Sequence, residues 1–108
     1  TDATSPGQVE FAVVRLLGQW FSLMDSEVDH AFTFTPGVSL EIRCDDQAEI
    51  DRYWAALSEV PEAEACGWCA DRFGVNWQVT PSTMAELMDR PGAFQTMMGM
   101  KKLEIAEF

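Results

Sequence analysis

Val38-Ser39-Leu40-Glu41-Ile42-Arg43-Cys44, followed at once by Asp45-Asp46-Gln47-Ala48-Glu49-Ile50-Asp51-Arg52-Tyr53-Trp54-Ala55-Ala56-Leu57-Ser58, is the stretch on which the fold turns. In its first half Val38, Leu40, Ile42 and Cys44 alternate with Ser39, Glu41 and Arg43, the period of a strand with one apolar face. In its second half the period changes. Asp46 is a good N-cap, and Glu49 three residues on completes a capping-box pattern. Ile50, Trp54 and Leu57 then recur at helical spacing, while Asp51, Arg52 and Ser58 fall elsewhere on the helix. The spacing predicts a strand over Val38–Cys44 and an amphipathic helix over Asp46–Ser58 that covers a sheet.

Downstream, Glu59–Glu62 reads as a loop around Pro61. Ala63–Ala70 reads as a strand, and Asp71-Arg72-Phe73-Gly74 as a turn. Val75–Thr80 is a further strand with Val75, Trp77 and Val79 on one face and Asn76, Gln78 and Thr80 on the other. Ser82 is placed to cap a helix holding Met84, Leu87 and Met88. Pro91 ends that helix and starts a second one carrying Phe94, Met97 and Met98. Leu103-Glu104-Ile105 reads as a short final strand. Upstream, Thr1–Gln8 is a loop, Val9–Val14 a strand, Leu17-Gly18-Gln19 a turn and Trp20–Met24 the return strand of a hairpin. Asp25–His30 is an acidic loop, and Phe32 and Phe34 precede a break at Pro36-Gly37. The order of elements is α+β.

The chain has 108 residues, which suits one domain over 1–108 with a single core. Hydrophobic residues make up 47% and charged residues 23%, a globular rather than disordered balance. The net charge of −11 argues against nucleic acid or an anionic lipid surface as partner. No stretch approaches the roughly 20 apolar residues that span a membrane. Thr1–Gly7 is polar and does not read as a signal peptide. Three cysteines without an export signal point to reduced thiols and a cytoplasmic setting.

Few residues suggest chemistry. Cys66-Gly67-Trp68-Cys69 has redox or zinc spacing. A redox pair needs its first cysteine at a helix N-terminus, whereas this segment reads as extended, where thiols three apart diverge. Zinc would need two more ligands, and His30 is the one histidine. Structural thiols are the better reading. His30 beside Asp29 reads as an ordinary loop histidine rather than a general base. Glu41 shares a face with Arg43, and an ion pair with Arg43 or Arg15 accounts for it better than catalysis. Met84, Met88, Met97, Met98 and Met100 form a plastic patch that suits a core or a subunit interface. There is no phosphate-binding glycine loop, no nucleophile–histidine arrangement and no strand–glycine turn–helix for a methyl donor.

Three blocks in fixed order resemble one family: Phe32–Leu40, Asp46–Leu57 and Cys66–Val79, with Met97–Ile105 similar to its tail. It is the PhnB-like branch of the vicinal-oxygen-chelate superfamily, the glyoxalase/bleomycin-resistance fold. The resemblance implies two βαβββ modules curled into a cup. Residues 38–80 correspond to the second module, residues 9–24 to the remnant hairpin of the first, and residues 82–102 to C-terminal helices. The N-terminal β-α-β of the first module is lacking by this comparison. Either another chain supplies its partners, or this is a shortened or reduced form. Several members carry the name demethylubiquinone methyltransferase, for which this sequence offers no chemical reason.

In metal-using members a ligand sits on the first strand of a module and a glutamate on its last. By the resemblance those positions are Ser39 and Gln78, a hydroxyl and an amide that bring no charge to a metal. The expectation is a cup without metal and without cofactor, lined by Ser39, Glu41, Gln78 and Trp68, that binds a small molecule. The alternatives are a metal-assisted enzyme of the lyase or dioxygenase kind, or a non-catalytic dimerisation module. The resemblance and the exposed hairpin edges together imply a homodimer in which each hairpin joins the partner's sheet, exchanging strands, or packs on the partner's module.

Overall fold

The computed structural model describes residues 10–26 and 28–108. These fall into two compact units, one ending at Phe32 and one spanning Thr33–Phe108. The first holds an antiparallel hairpin of β1 (Phe11–Leu16) and β2 (Gln19–Met24). Leu17 and Gly18 both have positive φ, at 49° and 83°, as the twist-matched two-residue turn of a hairpin requires. The expected start at Val9 lies outside the described residues. The register pairs Phe11 with Met24, Val13 with Ser22 and Arg15 with Trp20 on one face. The other face carries Ala12 opposite Leu23 and Val14 opposite Phe21. Both faces are therefore apolar, and among the described residues this sheet has two strands.

The second unit begins its regular structure with β3 (Leu40–Cys44) and α1 (Gln47–Leu57). The capping expected of Asp46 is present: its Oδ1 accepts from the Glu49 amide at 2.9 Å. Glu49 Oε1 reaches back to the amide of Asp45, at 3.1 Å. β4 (Trp68–Ala70) and β5 (Asn76–Pro81) complete a sheet of order β3-β5-β4. β5 is central, parallel to β3 and antiparallel to β4. α1 covers one face. Ile42, Cys44, Ile50, Cys69 and Val79 form the core there, with Tyr53, Trp54, Leu57, Trp77 and Ile105 packed around them. Ile42 and Cys44 of the expected alternation thus meet the helical stripe of α1, whereas Val38, expected on the same apolar face, lies before the strand and is 78% exposed.

Three expected elements differ. The strand over Ala63–Ala70 is a short 3-10 turn at Pro61–Ala63 followed by a tight turn at Cys66-Gly67. Ala65 and Trp68 exchange both backbone hydrogen bonds across that turn, at 3.1 and 2.8 Å. Only Trp68–Ala70 continues as a strand, so one strand of the βαβββ pattern is reduced to a bridge. Second, Ser82 caps nothing. The first C-terminal helix, α2 (Met84–Met88), starts from Thr83 without a side-chain cap, because the Ser82 amide still extends the sheet by donating to Cys44 O at 2.7 Å. Pro91 does precede the second helix, α3 (Ala93–Met98). Third, Leu103–Ile105 is not a strand, and a 3-10 turn spans Ile105–Glu107. Gln47 at the start of α1 holds this tail. Its Nε2 donates to Leu103 O at 2.9 Å, and its Oε1 accepts from the Ile105 amide at 2.8 Å.

Candidate functional site

The face of the second-unit sheet turned away from α1 carries the polar residues. Because the core face of β5 holds Trp77 and Val79, its other face holds Asn76, Gln78 and Thr80. In β3, Ser39 precedes the strand and Glu41 and Arg43 alternate with the core residues. The register sets Glu41 opposite Gln78 and Arg43 opposite Thr80, while Trp68 lies opposite Gln78 from the β4 side. The structure thus puts Trp68, Gln78 and Glu41 in one cross-sheet row. All four expected lining residues share this face.

Two side-chain hydrogen bonds tie its columns together. Gln78 Nε2 donates to Ser39 Oγ at 2.9 Å, and Thr80 Oγ1 donates to Glu41 Oε2 at 3.2 Å. In each case β5 reaches diagonally back toward the start of β3. Thr80 was not anticipated as part of this face's chemistry, although its spacing of two from Gln78 carried the signal. The expected pairing of Glu41 with Arg43 or Arg15 is absent among the described residues. Residues two apart on a strand lie about 6.6 Å apart at Cα, and the nearer Thr80 hydroxyl takes the carboxylate instead.

Ser39 and Gln78, the positions that the metal-using pattern would occupy, are bonded to one another through neutral groups. That donor set does not fit a first-row metal. Among the described residues no group of three or more His, Cys, Asp or Glu could hold an ion.

The cysteine motif divides. Cys69 is 1% exposed in the core, whereas Cys66 occupies the left-handed position of the tight turn, with a φ of 51°. Its Sγ donates to Met98 Sδ at 3.7 Å. Burial, reinforced by nearby carboxylates, pushes the Cys44 and Cys69 thiols up to about 11, which keeps them protonated and unreactive at neutral pH. His30 is held at its Nε2 by Ser26 Oγ (2.9 Å) and stacks on Phe32, as an ordinary loop histidine would.

A family model described as 3-demethylubiquinone-9 3-methyltransferase matches residues 1–80. Among solved structures, a PhnB protein from Bacillus cereus that carries the same methyltransferase name is similar to the chain. The two are 36% identical, with 76% of this chain and 74% of that one covered and a TM-score of 0.61. No curated protein matches the chain. The helix-covered sheet, the preceding hairpin and the two short C-terminal helices are an α+β arrangement of the glyoxalase type. The chain belongs to the 3-demethylubiquinone-9 3-methyltransferase family.

Proposed function

We propose that the protein is a PhnB-like small-molecule-binding protein that uses the polar sheet face, exposed at Glu41 and Arg43, without a metal. The observation that supports this most is the Ser39–Gln78 bond. It commits the two positions that by the resemblance would coordinate a metal to a neutral hydrogen bond beside Trp68 and Glu41. A metal-assisted lyase or dioxygenase is the alternative, and the donor chemistry of this face weighs against it. Elemental analysis of purified protein is expected to find well under one Zn, Ni, Mn or Fe per chain. About one metal per chain, lost in Gln78→Ala, would revive the enzyme.

Methyl transfer suits the chain poorly. In the second unit, the β-α junction where a nucleoside cofactor would ordinarily rest is Cys44-Asp45-Asp46. It has no glycine, and Asp46 is engaged in capping its own helix. Calorimetry with S-adenosylmethionine is expected to show no binding, and micromolar affinity would overturn this.

The hairpin supports a homodimer with exchanged strands. A two-stranded ribbon is marginal alone, and here Trp20 is 67% and Met24 78% exposed. Burying each such large side chain is worth roughly 1.5–3 kcal/mol. A second copy offers the edges and apolar surface that would cover both faces. Light scattering at micromolar concentration is expected to give twice the 12.1 kDa chain mass. The monomer mass would refute the dimer. Three unpaired thiols, two of them buried, suit a reducing compartment such as the cytoplasm.

A further inference from the structure

Resting on the proposal that the polar sheet face binds a small molecule, we infer that the ligand class is a zwitterion of the α-amino-acid type with a planar side chain. Arg43 and Glu41 would hold its head group, and Trp68 would face its ring.

The diagonal ladder is where the argument starts. Gln78 bonds back to Ser39 and Thr80 bonds back to Glu41, so the ladder runs out before Arg43. Arg43 is exposed and has no hydrogen bond or ion pair among the described residues. Glu41, also exposed, uses only Oε2, toward Thr80. Opposite charges therefore stand on one face, two residues apart in β3, without pairing.

A planar guanidinium presents a fork of N–H donors that matches a carboxylate. A carboxylate accepts from an ammonium. Two unpaired opposite charges two residues apart on one strand face therefore suit a ligand that carries both charges on one carbon. The whole-chain charge decides between a zwitterion and a plain anion. At −11 the protein's field repels a free carboxylate, whereas a net-neutral zwitterion meets no such penalty. Glu41 beside Arg43 adds to that repulsion and would reject a simple acid locally.

The row geometry supplies the ring site. Glu41, Gln78 and Trp68 are in register across three strands, so the backbones of Glu41 and Trp68 are about 9.6 Å apart, two strand spacings. With the head group at β3, the side chain of an aromatic amino acid extends across Gln78 toward the half-buried Trp68 indole. The Gln78 Oε1 acceptor lies between them, because Nε2 is already given to Ser39.

The test uses the whole chain and four probes: L-phenylalanine, 3-phenylpropionate, 2-phenylethylamine and the uncharged 3-phenylpropionamide. Binding is followed by calorimetry and by the indole N–H resonance of Trp68, assigned through Trp68→Phe. The expected result is that phenylalanine binds at least tenfold more tightly than each of the other three. Arg43→Gln should abolish the advantage of phenylalanine over the amine, and Glu41→Gln its advantage over the acid. Circular dichroism would check that both variants fold. If the uncharged amide binds as well as phenylalanine, the zwitterion inference falls and the binding face stands. Binding of the acid equal to phenylalanine and indifferent to Glu41→Gln also overturns it. If neither these probes nor a panel of polyols, amines and neutral fragments shifts Trp68, the binding face falls with it.

Discussion

Gly67 follows Cys66 through the tight turn with a φ of +87°, and a Cβ there would lie 3.1 Å from Val79 O and 3.0 Å from Leu103 Cδ1. Leucine can rotate but a sheet carbonyl cannot. Gly67→Ala is therefore expected to lose about 1–3 kcal/mol, read as a lower urea midpoint at unchanged slope. Asp71 has a comparable local weight. Its Oδ1 accepts from the amides of Phe73 (2.9 Å) and Val75 (3.0 Å), and its Oδ2 accepts from Trp77 Nε1 at 2.9 Å. One carboxylate thus shapes the turn between β4 and β5 and orients an indole packed against the core. Asp71→Ala should cost about 1.5–3 kcal/mol, the range for hydrogen bonds to a charged acceptor. The Trp77 indole proton should move toward its free-solvent shift, and no movement would show that the bond contributes little.

Among elements, the tail after α3 depends on a side chain far from it in sequence. Gln47 satisfies both Leu103 O and the Ile105 amide, and Leu103 is fully buried. The Met100 and Lys101 carbonyls in turn accept from the Cys66 and Gly67 amides, each at 2.8 Å. The tail therefore seals the tight turn and the start of α1 together. Gln47→Ala leaves a part-buried amide without its partner, at a cost of about 1–3 kcal/mol. Amide exchange at Ile105 should accelerate more than exchange in β5. Equal protection in both would show that packing of Leu103 alone holds the tail. Lys102 adds an ion pair to Asp51 Oδ1 at 2.7 Å, which holds the Asp51 carboxyl below its ordinary value, but both groups are solvated and the pair is worth little.

At the scale of the molecule, the two buried thiols set a response to alkali. Cys44 and Cys69 titrate at about 11 when folded, against 9.0 for a free thiol. The unfolded chain therefore releases these protons first. The protection they give is fully present below pH 9 and is lost as pH rises from 9 to 11. Each thiol contributes at most roughly 2–3 kcal/mol, by the free energy of a shift this large. Urea midpoints measured between pH 8 and 10.5 should fall, and Cys69→Ala should flatten that fall relative to the parent. A parallel slope in the variant would assign the alkaline loss to other groups. In the native protein a thiol reagent should modify Cys66 ahead of Cys44 and Cys69, which are shielded in the core.

Local periodicity determined much of this protein. The alternation of Leu40, Ile42 and Cys44 and the spacing of Ile50, Trp54 and Leu57 specified a strand, a helix and the faces they bury, because both patterns express backbone geometry within one element. The same alternation put Ser39 and Glu41 on the face away from the helix, and that of Trp77 and Val79 put Gln78 there. The turn was legible at Gly18, which tolerates positive φ; Leu17 shares that conformation without signalling it, and Gln19, read as part of the turn, already belongs to β2. Contacts between distant parts of the chain settled the rest. Cys66 looked extended by composition, yet the carbonyls of Met100 and Lys101 meet its turn. Leu103 looked like a strand residue, yet Gln47 holds it. The freedom of Arg43 depends on a cross-strand register in which Thr80 takes the carboxylate that Arg43 was expected to pair. Register and long-range hydrogen bonds arise between segments, so no periodicity within a segment encodes them.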